Sequence, residues 1–302
     1  MGYEWLALAA ACLWALSSMI SVTPARHLGA FAYSRWRMGC VTIMLSSLAW
    51  FTGGWLSIES SHLYPMILSG LIGIFIGDTA LFACFNRMGP RQAGLLFSCH
   101  ALFSAILGYW LFNETLQGWE LVGAISVFSG VSIAIFFGRK TDNQGTWDEV
   151  RGNIWIAIFL GLLAAFCQAL GGVIAKPVML TNADPIAASA IRMASAFAAH
   201  SLLRLMNVPI SRPITPINFR ILGIVALNGF LAMTVGMTLI LYALQKGNVG
   251  MVALLSSTTP IMILPLLWLY TKKAPNRSAW LGAFFSCNGY GINRQLILQL
   301  DS

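Results

Sequence analysis

Arg37-Met38 in the first half of the chain returns as Arg192-Met193 in the second, and Gly89, Ser98 and Trp110 return in the same order as Gly247, Ser256 and Trp268. Gly123-Ala124 with Gly130 returns as Gly282-Ala283 with Gly289. Around these anchors, residues 1–138 align with residues 152–293 at an offset that drifts only from about 154 to 159. Apolar segments match by accident at single positions. A kept order at a nearly constant offset marks a duplication. The chain is 58% hydrophobic and only 9% charged over 302 residues, whereas a soluble domain carries about 25% charged residues. No single globular core absorbs that much apolar surface, so most of the chain lies in lipid. An internal repeat in such a chain points to a transporter built from two related halves.

A membrane span takes roughly 20 apolar residues. The breaks in this sequence define ten candidates, near 4–22, 33–52, 64–86, 92–112, 117–138, 153–175, 185–206, 219–244, 249–270 and 278–293. The breaks carry Pro, Gly, Asn and charge: Thr23-Pro24-Ala25-Arg26, Arg87-Met88-Gly89-Pro90-Arg91, Asn207-Val208-Pro209 and Lys246-Gly247-Asn248. The sizeable polar stretch, Arg139 to Arg151, separates the halves. The expected organisation is a first five-helix repeat over 1–138, a linker over 139–152 and a second repeat over 153–302. An odd number of spans per half forces the second half to enter the membrane from the opposite side. The expected fold is therefore all-α: ten transmembrane helices as two inverted five-helix repeats around a central cavity.

Lys and Arg distribution orients the chain. The loops after spans 1, 3, 5, 7 and 9, with the nearby span ends, hold most of the 18 basic residues, among them Arg26, Arg87, Arg91, Arg139, Lys140, Arg204, Arg212, Lys272 and Lys273. The termini and the remaining loops hold Lys176, Lys246 and Arg294, together with Glu4, Glu59, Glu114, Glu120, Asp184 and Asp301. By the positive-inside rule both termini lie on the non-cytoplasmic side of a bacterial plasma membrane. The same distribution answers the net charge of +8. The basic residues sit in short loops and form no run or patch, so nucleic acid is not expected as a partner. Glu4 stands where a cleavable leader would be basic, and the first apolar run is long enough to span. Six cysteines (Cys12, Cys40, Cys84, Cys99, Cys167, Cys287) lie singly in apolar segments with no metal-ligand spacing. No phosphate-binding loop or hydrolase motif appears, so neither ATP-driven transport by this chain nor a resident cofactor or metal is expected.

The stretches Gly77-Asp78-Thr79 through Asn86-Arg87-Met88-Gly89-Pro90 and Leu111-Phe112-Asn113-Glu114-Thr115-Leu116, with Trp14, Arg37, Gly123 and Gly130, resemble the drug/metabolite transporter superfamily of EamA type. The second half looks similar at Tyr242-Ala243-Leu244, Gly247, Ser256 to Pro260 and Gly282 to Gly289. The resemblance implies ten helices in two inverted repeats, with substrate moved by alternating access. It names no substrate, because such proteins move amino acids, nucleotide sugars, sugar phosphates and drugs. The chain departs from the pattern in three places. Leu102 stands opposite Pro260, Lys272-Lys273 opposite Glu114, and the last span is short.

Asp78 lies about 14 residues, roughly 21 Å, along its helix. An ionised group at that depth costs several kcal/mol unless it is paired or hydrated, on the order given by membrane-insertion scales. It is a candidate for proton coupling or for binding a cationic group, against the plainer possibility of an ion pair with Arg37 or Arg192. Those two arginines are repeat-related and read more readily as structural or snorkelling than as substrate contacts. His100, opposite Thr258, is the second proton-coupling candidate, or else a hydrogen-bonded interior residue. Ser98 and Ser256, with Thr259 beside Ser257 and Thr258, give spans 4 and 9 a polar, breakable middle suited to a midplane site, or allow close helix packing. Trp14 and Gln168 are repeat-related and could stack on and hydrogen-bond a substrate. Asn228 and Tyr242 are weaker candidates of the same kind. The function expected is secondary transport, most readily efflux, of a small polar organic metabolite, amino acid or drug-like, with the lipid bilayer as surroundings and a monomer sufficient. An uncoupled channel or facilitator is the alternative, and an intramembrane enzyme on a lipid-linked substrate is a more distant one.

Overall fold

The computed structural model describes residues 2–114, 152–259, 262, 263 and 266. The expected fifth span (117–138), the linker from 139 to 151 and the expected tenth span (278–293) lie outside the described residues, as do Pro260, Trp268 and Lys272-Lys273. Every described element is helical. In chain order they are α1 (Tyr3–Leu28), α2 (Ala30–Thr52), α3 (Ser60–Ser69), α4 (Gly77–Phe97), α5 (His100–Phe112), α6 (Ile154–Met179), α7 (Pro185–Leu205), α8 (Phe219–Gly229), α9 (Thr238–Lys246) and α10 (Val249–Ser256). A π-helical segment, Gly70–Ile76, joins α3 to α4, and another, Phe230–Met237, joins α8 to α9. Gly89 breaks α4 with φ 80° and ψ 164°, a conformation that strains any residue with a side chain.

Among the described residues, six stretches are long and apolar enough to cross a membrane: Tyr3–Leu28, Ser60–Gly89, Gln92–Phe112, Ile154–Met179, Pro185–Leu205 and Phe219–Lys246. Each coincides with an expected span. Helix α2 is as long as a span but carries Arg35 and Arg37 and is not among the six. Local chemistry sets several starts. Asn153, Asp184 and Asn218 each accept hydrogen bonds from backbone N–H groups in the first turn of their helix, at 2.8–2.9 Å.

Two expectations are corrected. The break expected at Thr23-Pro24 is not one: α1 continues through Pro24 and stops only at Gly29, whose φ is 83°. Pro24 removes one amide donor, and the surrounding packing holds the helix across it. Lys176, expected in a loop, lies in α6 and is buried. Its ammonium donates to the carbonyls of Leu244, at 2.8 Å, and Gly247. These carbonyls lie at the C-terminal end of α9, where a cation complements the helix dipole. Across the same break, Glu114 accepts from the N–H of Val249 at 2.8 Å, at the start of α10.

The interior is built from small residues, so helix axes come close. Gly73 and Gly171 meet backbone to backbone: a Cβ on Gly73 would stand 3.2 Å from the Gly171 Cα. A Cβ on Gly70 would fall 2.3 Å from the Arg192 carbonyl oxygen and 2.1 Å from the Ser195 hydroxyl. The second half has a counterpart, because Gly229 packs on the side chain and carbonyl of Arg37. Overpacking of this kind costs about 1–3 kcal/mol. Gly70→Ala is therefore expected to lower the unfolding temperature of the purified protein in detergent. Gly172→Ala, which meets nothing within 4 Å, is expected to hold or raise it. Equal melting curves for the two would show that the helices do not approach as described.

Candidate functional site

The site begins with a charge pair. Arg37 of α2 donates to the carboxylate of Asp78 in the first turn of α4, and both side chains are buried. Arg37 also donates to Asn228 Oδ1 at 3.2 Å, and Tyr33 donates to the same oxygen at 2.7 Å. Asn228 returns its own amide protons to the carbonyl and hydroxyl of Ser17, both at 2.7 Å. The guanidinium lies 4.5 Å from the ring centre of Phe82 and 5.7 Å from that of Tyr33. Four segments far apart in sequence are thus tied through one arginine. A buried ion pair carries a large desolvation cost and is tolerated only when its remaining hydrogen-bond sites are filled, as most are here.

Asp78 and Arg37 form part of the wall of a cavity. Of the residues picked out in the sequence, Trp14, Asp78, Ser98, His100, Gln168, Ser256 and Thr259 all line it. Asn228 does not: it stands behind the wall, fully buried, holding Arg37. Tyr242 is 36% exposed on α9 and lies away from the cavity. Sequence reasoning missed Ser17, Ser18 and Ser21 on α1 and the apolar wall of Phe82, Phe85, Phe97 and Met233. The serines lie at near-helical spacing from Trp14, a signal that could have found them.

Trp14 is fixed from both sides. Its indole N–H donates to the Ala232 carbonyl at 2.9 Å, inside the second π segment, and its ring meets Phe97 edge-on with centroids 6.4 Å apart. Gly236 leaves room for it, since a Cβ there would stand 2.9 Å from the indole nitrogen. Gly77 plays the corresponding part against Cys167. These contacts put Gly77 opposite Gly236 and Asp78 opposite Met237 across the repeat. Phe97 also leans on His100 (5.1 Å), whose buried Nε2 has no hydrogen-bond partner among the described residues.

The two helices carrying Ser98 and Ser256 are interrupted at Ser98-Cys99 and at Ser257-Thr258, and the Ser98 hydroxyl crosses to the Ser257 carbonyl at 3.1 Å. Most of the lining hydroxyls share one property; Ser17, which accepts from Asn228, is the exception. Ser18 and Ser21 donate to the carbonyls of Trp14 and Ser18, each at 2.8 Å. Ser256, Ser257 and Thr259 donate to those of Ala253, Leu254 and Ser256 at 2.7–3.0 Å. A hydroxyl has one proton and two lone pairs. With the proton given to backbone, each offers the cavity only acceptor sites. Beside the Asp78 carboxylate and the faces of Trp14 and Phe97, the lining suits a guest that brings hydrogen-bond donors and positive charge. The space open to the centres of water-sized molecules is about 60 Å³. At roughly 10–15 Å³ per water, that holds a few waters. No cluster of three or more potential metal ligands occurs among the described residues.

The sequence profile of the EamA-like transporter family matches residues 1–136 and 155–293. An uncharacterized transporter of Synechocystis sp. is 26% identical over 242 residues, spanning 74% of this chain and 71% of that protein. One crystal structure superposes with a TM-score of 0.76 over 99% of each chain at 15% identity, which shows a shared fold.

Removing one partner from a buried ion pair costs about 3–5 kcal/mol, while removing both costs much less. Arg37→Met and Asp78→Leu are each expected to destabilise strongly, and the double variant is expected to melt above either single one. A double-mutant cycle by thermal unfolding checks this, and strictly additive losses would mean that the two charges do not depend on each other.

Proposed function

The chain belongs to the EamA-like transporter family, within the drug/metabolite transporter superfamily, and from that premise we propose that it is a secondary transporter moving a small, amine-bearing polar metabolite, amino acid or drug-like, by alternating access. The observation that carries the substrate reading is the cluster of acceptors in the lining: back-bonded hydroxyls, one carboxylate and two aromatic faces converge on one cavity. Asp78 receives the ammonium, Trp14 and Phe97 stack on its carbon skeleton, and Gln168 and His100 orient the rest.

Alternating access has physical support in the same site. The elements around it are discontinuous, with two π segments and two helix interruptions, and irregular backbone at membrane depth is how transporters expose groups to a substrate and move. The organisation that fits is ten spans in two inverted repeats, 1–138 and 153–302, in a bacterial plasma membrane with both termini outside and export as the net direction. Coupling to protons would run through Asp78, with His100 as the second group.

The test is ligand-induced thermal stabilisation followed by counterflow in proteoliposomes. An amine-bearing metabolite is expected to stabilise the protein, and its N-acetylated form is not. Loss of a cation–π contact is worth about 1–2 kcal/mol when desolvated, so Trp14→Ala is expected to raise the half-saturating concentration about 5- to 30-fold. Flux that never saturates and shows no exchange would make the chain a channel. Saturable exchange of anions alone would overturn the amine reading.

A further inference from the structure

Two arginines and one acid share the interior. Arg192 of α7 is 1% exposed, among the largest fully buried side chains, and its Nε has no hydrogen-bond partner among the described residues. Among the described residues no carboxylate lies within ion-pair distance of it. It lies against Gly73, on the same run of helix that carries Asp78. Its guanidinium rests on the Gly73–Gly171 crossing, with one terminal nitrogen 3.4–3.5 Å from where a Cβ on either glycine would be. Among the described residues it is a buried cation with no ion-pair partner.

The two arginines are seated alike. Arg37 packs under Gly229 and Arg192 under Gly70, each just at or before a π segment. Asn228, next to Gly229, fastens α8 to Ser17 of α1. Ser69, next to Gly70, fastens α3 to Gly171 of α6 through its hydroxyl at 2.6 Å. The difference lies in the acceptors. Arg37 has Asp78 and Asn228, and Arg192 has neither. An unpaired buried cation costs far more than a paired one, so a position built to hold one needs an anion at some stage of the cycle.

We propose that Arg192 is the second counter-ion of Asp78, taking the carboxylate over from Arg37 when the cavity opens to the opposite face of the membrane. The inference rests on the alternating-access reading above. Asp78 lies just after the π segment Gly70–Ile76, and Gly73 within that segment touches the Arg192 guanidinium. A π turn holds more residues than an α turn. Letting the extra residue out turns the rest of the helix, from Gly77 onward, by about 100° around its axis, which takes Asp78 off Arg37. Arg192 is then a positioning residue: the carboxylate meets substrate, and the two arginines decide which way the carboxylate faces.

The test needs no known substrate. In a background with the six cysteines replaced by Ala, Ser18→Cys on the cavity wall is labelled with a membrane-impermeant maleimide in right-side-out and in inside-out vesicles. The parent is expected to label from both faces. Arg37→Gln leaves Arg192 as the one partner, and Arg192→Gln leaves Arg37. The two are expected to shift the ratio of labelling between faces about tenfold or more in opposite directions, with Arg37→Lys and Arg192→Lys returning most of the way. If a Gln variant does not reach the membrane, the Lys variants are read in the same manner and must still shift oppositely. Labelling of the parent from one face only would overturn alternating access itself. Labelling from both faces, with the variants shifting the same way or not at all, would overturn the exchange and leave the transport reading standing.

Discussion

The contact between Arg37 and Asp78 is the constraint on which the other features of the site depend. Each group alone would be costly at its depth, so each fixes the other, and the polar atoms around them exist to complete the pair. Asn228 divides its oxygen between Arg37 and Tyr33 and its nitrogen between two atoms of Ser17. The rings of Tyr33 and Phe82, 4.6 Å apart and edge-on, cover the guanidinium. The ion pair thereby positions α1, α2, α4 and α8 against one another, and the cavity is the space left beside it. Its shape follows from electrostatic necessity more than from apolar packing.

Close helix approach is the second condition. The Arg192 guanidinium fits at its crossing because Gly73 and Gly171 stand there, and Gly70 and Gly229 let their helices close on the arginine-bearing helices. Gly70, Gly73, Gly171 and Gly229 surround the two arginines, and a methyl group at any of them meets a neighbour at 3.2 Å or less. The π segments begin at or beside Gly70 and Gly229, so the weakest stretches of helix sit where the charges are. Strength and looseness are therefore concentrated together near the site, while long regular helices such as α6 and α7 flank it.

Much of the architecture was legible because its causes are local. Apolar length gave the six spans found among the described residues, and glycine with flanking charge marked the breaks at Gly89 and Gly247. Trp14, Ser98, Ser256 and Gln168 were readable as cavity residues from their depth and their match across the halves. The misreadings have non-local causes. Pro24 is a helix breaker by propensity, yet α1 passes through it because neighbouring helices hold the backbone. Lys176 resembles an interfacial charge until α9 ends beside it. Asn228 has the chemistry of a substrate contact, and only three-dimensional proximity shows its capacity already filled. The hydroxyl polarity of the cavity was invisible for a related reason: Ser and Thr are both donor and acceptor in sequence, and only helical geometry commits the proton.

The break between α9 and α10 is held by Lys176 and Glu114, and both precede it in the chain. A ribosome delivers them first. When residues 238–256 are made, the ammonium that donates to the end of one helix and the carboxylate that accepts from the start of the next have already been synthesised. The groups that hold the interruption are thus in place before the stretch that bends: earlier residues, one from each half, receive the two helix ends.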